Sequence, residues 1–256
     1  MDTIHFLGYV FPSSIKINLK DMPSIEWNEP AKNIQESYQI AVIDSKVDIT
    51  CSTNRYDESK LFDQYMRAYD LVRAAIDIFA FANGYGLTVI LDSEIKPDGT
   101  PSSLFFEDPS LPPLVTAFNL DPANMDSSSY NSMFRMIVGE PPVFMALNDL
   151  IVAITMPHHA PVNCGRAMDG IRYLIAPGVD RKQGWLQMRQ SLNVDQSYLS
   201  HVTNTSTRPR HGDRTYIPGS VIRPVVQRSW IIMNRFLEFR KGGNRPLPIS
   251  KFPLLS

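Results

Sequence analysis

The hydrophobic period of this sequence changes along the chain, and that change restricts the fold more than any other feature. Up to about residue 55, apolar and polar side chains alternate. The runs are Ile15, Ile17 and Leu19; Ile25 and Trp27; Tyr38, Ile40 and Val42; and, across a turn at Asp44 and Ser45, Val47, Ile49 and Cys51. Alternation puts every second side chain on one face, as in antiparallel strands with one buried side. From Asp57 the period becomes that of a helix. Phe62, Tyr65, Met66, Tyr69, Val72, Ile76 and Phe79 fall on one stripe, with Asp63, Arg67, Asp70 and Arg73 off it. Asp57 or Ser59 can cap the start, and Gly84 and Gly86 end the helix before a last strand, Leu87 to Leu91. The expected unit is an antiparallel sheet with one long helix packed on it.

Residues 97 to 126 hold six prolines among many Ser, Asp and Asn, the composition of a long connection or an ordered extended arm. Beyond it, every apolar pattern is helical. Tyr130, Met133, Phe134 and Ile137 mark a helix ended by Gly139. Pro141 or Pro142 opens the next, with Phe144, Leu147, Ile151 and Ile154 expected inward. Pro161 starts a helix carrying Cys164, Ala167, Met168, Ile171, Leu174 and Ile175. Asp180 and Asp195 can cap two more, and Ser220 begins a long one with Ile222, Val226, Trp230, Met233, Phe236 and Leu237 on one face. The expected fold class is therefore α+β: a sheet-plus-helix domain over residues 1–120 and an all-α bundle of five or six helices over residues 121–256.

Charge divides at the same place. Residues 1 to 125 carry 9 Lys and Arg against 18 Asp and Glu, and residues 126 to 256 carry 16 against 8, of which 13 are arginine. Arginine's planar fork suits bidentate contacts to phosphate and carboxylate. The basic half is thus expected to meet a polyanion, or else the acidic half of the same chain or of a second copy. Asp2 stands where a signal peptide would carry basic residues, and no run reaches the roughly 18 apolar residues of a membrane span. The expectation is a cytoplasmic chain that contacts no membrane. Cys51 and Cys164 are far apart and lack the spacing of zinc ligands, and the usual phosphate-loop, nucleophile-elbow, zincin and dinucleotide motifs are missing. No metal or other cofactor is expected.

The segment Leu199 to Tyr216 (LSHVTNTSTRPRHGDRTY) stands out as polar and basic between two apolar-periodic stretches. Read as a loop, it sets Arg208, Arg210, Arg214 and His211 within seven residues, after Asn204, Thr205, Ser206 and Thr207. This combination suits metal-independent RNA cleavage. An imidazole moves the proton of the attacking 2′-hydroxyl, and guanidinium groups stabilise the phosphorane. His211, Arg208 and Arg210 are the catalytic candidates; Asn204, Ser206 and Arg214 could hold phosphate or ribose. Arg166, Asp169 and Arg172 recur at a spacing of three on the helix that starts at Pro161, so the two arginines either extend the phosphate groove or pair along their own helix face. The plain alternative for the whole stretch is an arginine-rich turn whose cations pair with acids and helix carbonyls.

An all-helical domain whose penultimate helix runs into a polar stretch with arginine and His211-Gly212, followed by a long last helix, resembles the HEPN superfamily over residues 128 to 243. That superfamily's core motif is an arginine and, four to six positions on, a histidine. Arg208 stands three before His211, and Asn204, Thr205 or Ser206 occupies the place of the family's arginine. The resemblance implies a dimer with the polar stretches of two subunits facing one another and RNA as the substrate, in a toxin or defence setting. The other expected class is a non-enzymatic, dimerising interaction protein whose acidic N-terminal domain binds a partner.

Overall fold

The computed structural model describes the chain except residue 21, residues 105–126, and residues 214 and 216, together with the side chains of residues 32, 127, 129 and 157. It divides into two compact units, Met1–Phe105 and Phe106–Ser256. The boundary expected near residue 120 lies outside the described residues.

The first unit is a six-stranded antiparallel sheet with one long helix. The strands are β1 (Asp2–Phe11), β2 (Ile25–Glu29), β3 (Ile34–Ile43), β4 (Lys46–Thr53), β5 (Thr88–Ile95) and β6 (Pro101–Ser103), in the order β2-β3-β4-β1-β5-β6. Asp44 and Ser45, both at positive φ, make the tight turn that pairs β3 with β4. Ile4, Phe6, Tyr38, Ile40, Ile49 and Cys51 form one buried face of the sheet, and Tyr65, Val72 and Ile76 of α1 (Leu61–Asn83) are buried as well. Asp57 caps the short turn that leads into α1, and Gly84, left-handed, ends it.

Several details depart from the expectation. The central strand β1, outside the four expected alternating runs, carries its alternation on Ile4, Phe6 and Val10, with Gly8 breaking the apolar series. The segment around Ile15, Ile17 and Leu19 forms no strand. Ser45 draws it across the β3–β4 turn instead, donating from Oγ to the Ile15 carbonyl and from its backbone N–H to that of Ile17, and only Leu19 bridges to Val42. β5 runs on to Ile95, where its last residues pair with β1 on one side and β6 on the other. β2 is exposed at Ile25 and Trp27, and Phe62 lies off the buried stripe of α1.

Within this unit a charged network centred on Glu36 is buried. Glu36, 1% exposed, accepts hydrogen bonds from Tyr38 Oη (2.7 Å), Gln64 Nε2 (3.0 Å) and Arg67 Nε (3.0 Å), while Arg67 Nη2 lies 2.8 Å from Glu36 Oε2. A buried carboxylate needs such partners, since an unpaired charge in this position would cost several kcal/mol.

The second unit is helical: α2 (Ser127–Gly139), α3 (Pro141–Thr155), α4 (Ala160–Ile175), α5 (Arg181–Leu192), α6 (Gln196–Arg210) and α7 (Gly219–Lys241). Its core gathers Leu150 from α3, Met168 and Ile171 from α4, Met188 from α5, Val202 from α6 and Phe236 from α7. Asp180 and Asp195 cap α5 and α6 by accepting backbone N–H groups, as expected. The inward face of α3 is Val143, Ala146, Leu150 and Ala153, one residue round from the expected stripe. Phe144 and Ile151 are exposed, and Leu147 and Ile154 are only partly buried. A helix apolar on nearly all sides carries no periodic signal to say which side packs. Among the described residues no single helix is long and apolar enough to cross a membrane, and the apolar pair α2 and α3 is bent by 109° at its junction.

Candidate functional site

The polar stretch expected as a loop is helix as far as Arg210. Ser, Thr and Asn ordinarily disfavour helix interiors because their side chains compete for backbone groups. In α6 the competition is absorbed internally. Thr205 Oγ1 donates to the His201 carbonyl (2.7 Å), and Ser206 Oγ and Thr207 Oγ1 both donate to that of Thr203 (2.8 Å each). Pro209 lies in the last turn, where it removes one N–H from the helix ladder, and the helix ends at the next residue. His211 caps the helix, its backbone N–H bonded to the Thr207 and Arg208 carbonyls, and Gly212 takes the left-handed conformation that turns the chain.

This placement separates the expected site residues. Ser206 is fully buried, and a Cβ added at Gly165 would stand 2.4 Å from its hydroxyl, so it packs α6 against α4 and offers no surface to a ligand. Asn204 is exposed on α6, as is His211 at its end. Arg208, with its side chain 86% exposed, lies 3.7 Å from Asp213. Asp213 accepts from the Thr215 backbone and hydroxyl, which hold its carboxyl below the usual carboxylate range. Arg166 pairs with Asp149 of α3 at 3.5 Å, a carboxyl that burial pushes upward and Arg166 draws down. Arg214 lies outside the described residues.

Arg172 and Arg210 do come together, at Asp169. Arg210 Nη1 is 2.7 Å from Asp169 Oδ2; Arg172 Nε and Arg181 Nη2 are 3.6 and 3.8 Å from Oδ1. One carboxylate therefore faces three guanidinium groups from α4, α5 and α6, which leaves a surplus of positive charge. Only the Arg210 contact is of hydrogen-bond length, and Arg172 Nε is buried without a hydrogen-bond partner among the described residues. Gly184 makes room for the Arg172 side chain, which would lie 3.2 Å from an added Cβ, and the guanidinium rests over the Trp185 ring at 5.5 Å. Trp185 also lines a groove of about 570 Å³ between α5 and α6, with Lys182, Arg189, Gln196, Ser200 and Thr203.

Sequence reasoning missed Arg181, the hub role of Asp169, and Trp185. One local signal was present: Arg181 and Lys182 occupy the first turn of α5, where the helix dipole disfavours cations. A local rule broken in this way is the kind of departure that functional sites show. Among the described residues no group of three His, Cys, Asp or Glu side chains could hold a metal ion. Cys51 and Cys164 are buried thiols, each pushed up to about 12 by burial, and neither is a nucleophile at neutral pH.

No curated protein and no solved structure matches the chain. Residues 4–105 match the model of the DUF8168 N-terminal domain and residues 130–241 that of the DUF8168 C-terminal domain, both domains of unknown function. The two matches cover more than four fifths of the chain in N-to-C order, and the chain belongs to the DUF8168 family.

Proposed function

We propose that the helical unit is an RNA-directed module whose contact surface is the arginine corner where α4, α5 and α6 meet. The observation that carries this reading is the convergence of Arg172, Arg181 and Arg210 on the single carboxylate of Asp169, with Arg181 71% exposed. Guanidinium groups in excess of their acids, fixed on three rigid helices, are suited to phosphate oxygens. The arginine-rich composition of the C-terminal half supplies the longer-range attraction. Metal-independent cleavage, implied by the likeness to the HEPN superfamily, is the stronger form of the reading, with His211 at the end of α6 as the acid/base. The test is binding of the full chain to single-stranded RNA across a salt series. A steep loss of affinity with salt that lessens in Arg181→Ala supports the reading, and no binding at low salt ends it.

A second reading, a dimerising interaction protein, is favoured by a different surface. An apolar groove of about 400 Å³ lies among α2, α3 and α7, lined by Phe134, Val138, Phe144, Ile151 and Trp230, the first four exposed. A second copy of the chain covering this groove would bury those side chains. Sedimentation of the wild type and of Phe144→Lys tests it: a dimer that the variant dissociates supports it, and a wild-type monomer at high concentration removes it.

A further inference from the structure

We propose that the groove between α5 and α6, together with the arginine corner at its edge, binds one nucleoside phosphate unit, with the base on Trp185 and the phosphate on Arg181, Arg172 and Arg210. The choice of nucleotide over other phosphates rests on the RNA-directed reading above.

Three observations meet here. Trp185 belongs to both places: Arg172 rests over its ring, and the ring also lines the groove. An indole is the best stacking surface a side chain can offer to a base, and such stacking accepts any base because each has a π-face. The three arginines around Asp169 hold donors in reserve. Two of them stand beyond hydrogen-bond length from the carboxylate, and the buried Nε of Arg172 has no hydrogen-bond partner among the described residues. A phosphate at this corner would take up those donors as charge-assisted hydrogen bonds. The groove, at about 570 Å³, is large enough for one base and sugar, and Gln196, Ser200 and Thr203 bring it polar groups that can meet hydroxyls and base edges. The apolar groove of the same unit has no comparable polar lining.

Such a unit could come from an RNA chain or from a free nucleotide, and the two sources are separated by experiment. Isothermal titration of the full chain at low salt would use adenosine 5′-monophosphate, adenosine, inorganic phosphate and a short single-stranded RNA. The expected result is that the monophosphate binds about tenfold or more tighter than inorganic phosphate, the margin that stacking one base provides. Trp185→Ala should erase that margin while phosphate still binds. Arg181→Ala, a change at an exposed side chain that leaves the core intact, should weaken the monophosphate and inorganic phosphate alike. The monophosphate should also displace the RNA. RNA that binds but is neither displaced by the monophosphate nor weakened by Trp185→Ala overturns this site and leaves the RNA-directed reading standing. A monophosphate that binds as predicted to a chain that ignores RNA keeps the site, as one for free nucleotides, and overturns that reading instead. Equal affinity for the monophosphate and inorganic phosphate overturns the role given to Trp185.

Discussion

Arg210 Nη1 stands 2.7 Å from Asp169 Oδ2, and this pair fastens the last turn of α6 to the middle of α4. Among the described residues the same carboxylate is the only acid paired with Arg172 and Arg181, so it holds the corner together while masking part of its charge. Asp169→Asn keeps the shape and removes the charge. It should lower stability by about 1 kcal/mol, the scale of a partly exposed charged hydrogen bond, and raise affinity for single-stranded RNA. Thermal unfolding and a binding isotherm at fixed salt read the two effects. Weaker RNA binding in a folded Asp169→Asn protein would show that the acid contributes to the contact itself.

The approach of α4 to α6 depends on Gly165. An added Cβ would stand 2.4 Å from Ser206 Oγ and 2.5 Å from its Cβ, so Gly165→Ala forces the helices apart or strains them, at a cost of about 1–3 kcal/mol. Ser206→Gly removes both clashing atoms and should recover much of that loss in the double variant, whereas Ser206→Ala should not. Urea midpoints of the wild type, of each single variant and of the two double variants decide it. Simple additivity of the Gly165→Ala and Ser206→Gly effects would mean that the helices already separate by other means.

The sequence made the main architecture readable because period and charge change together along the chain. Alternation at Tyr38, Ile40 and Val42 and the stripe Tyr65, Tyr69, Val72 and Ile76 each name a buried face that the structure keeps. What escaped has physical causes. In α3 a nearly all-apolar surface hides which side packs, so the pattern points Phe144 inward where the structure buries Val143. In α6 the run from Asn204 to Thr207 has loop composition, but its hydroxyls bond carbonyls three and four residues back and the helix is held by the Asp195 cap and by buried Val202 and Ser206. The corner at Asp169 joins residues 12 and 41 positions away, Arg181 and Arg210, and no local pattern encodes such a meeting.

In the sheet unit, Glu36 depends on Arg67. Arg67→Met leaves a carboxylate that is 1% exposed with only Tyr38 and Gln64 as donors, and it should cost about 3–5 kcal/mol. Glu36→Gln combined with Arg67→Met removes the stranded charge and should recover a large part of that loss. The comparison is a thermal midpoint for each variant at neutral pH. A mild effect of Arg67→Met alone would mean that water reaches Glu36.

His201 gives a pH dependence of known sign. Burial first, and then Arg228, hold its imidazole below the ordinary histidine value, and its Nε2 is buried without a hydrogen-bond partner among the described residues. The folded state therefore favours the neutral ring, while the unfolded chain takes up a proton near pH 6.5. The contribution is present above about pH 6.5 and is lost as pH falls through the lower, folded-state value. His201→Gln should flatten the stability profile in that window and leave the neutral-pH slope unchanged. An unchanged acid limb in the variant would assign the loss to other groups.

His211 separates binding from cleavage. It caps α6 in an exposed position beside Arg208 and one turn from Thr207, so replacing it removes little packing, and His211→Ala should fold with an unaltered midpoint. If the module cleaves RNA, the variant should bind as the wild type does and cleave about 100 to 10,000 times more slowly, the usual cost of losing a general acid or base. Chelation should leave the wild-type rate unchanged, because the proposed chemistry moves protons through imidazole and stabilises charge through guanidinium groups. Arg210→Ala should act differently, lowering both binding and stability, since that side chain also ties α6 to Asp169. Cleavage that survives His211→Ala would remove the imidazole from the mechanism. Binding without cleavage in the wild type would leave the arginine corner as an RNA-holding surface, with His211 serving only to end the helix.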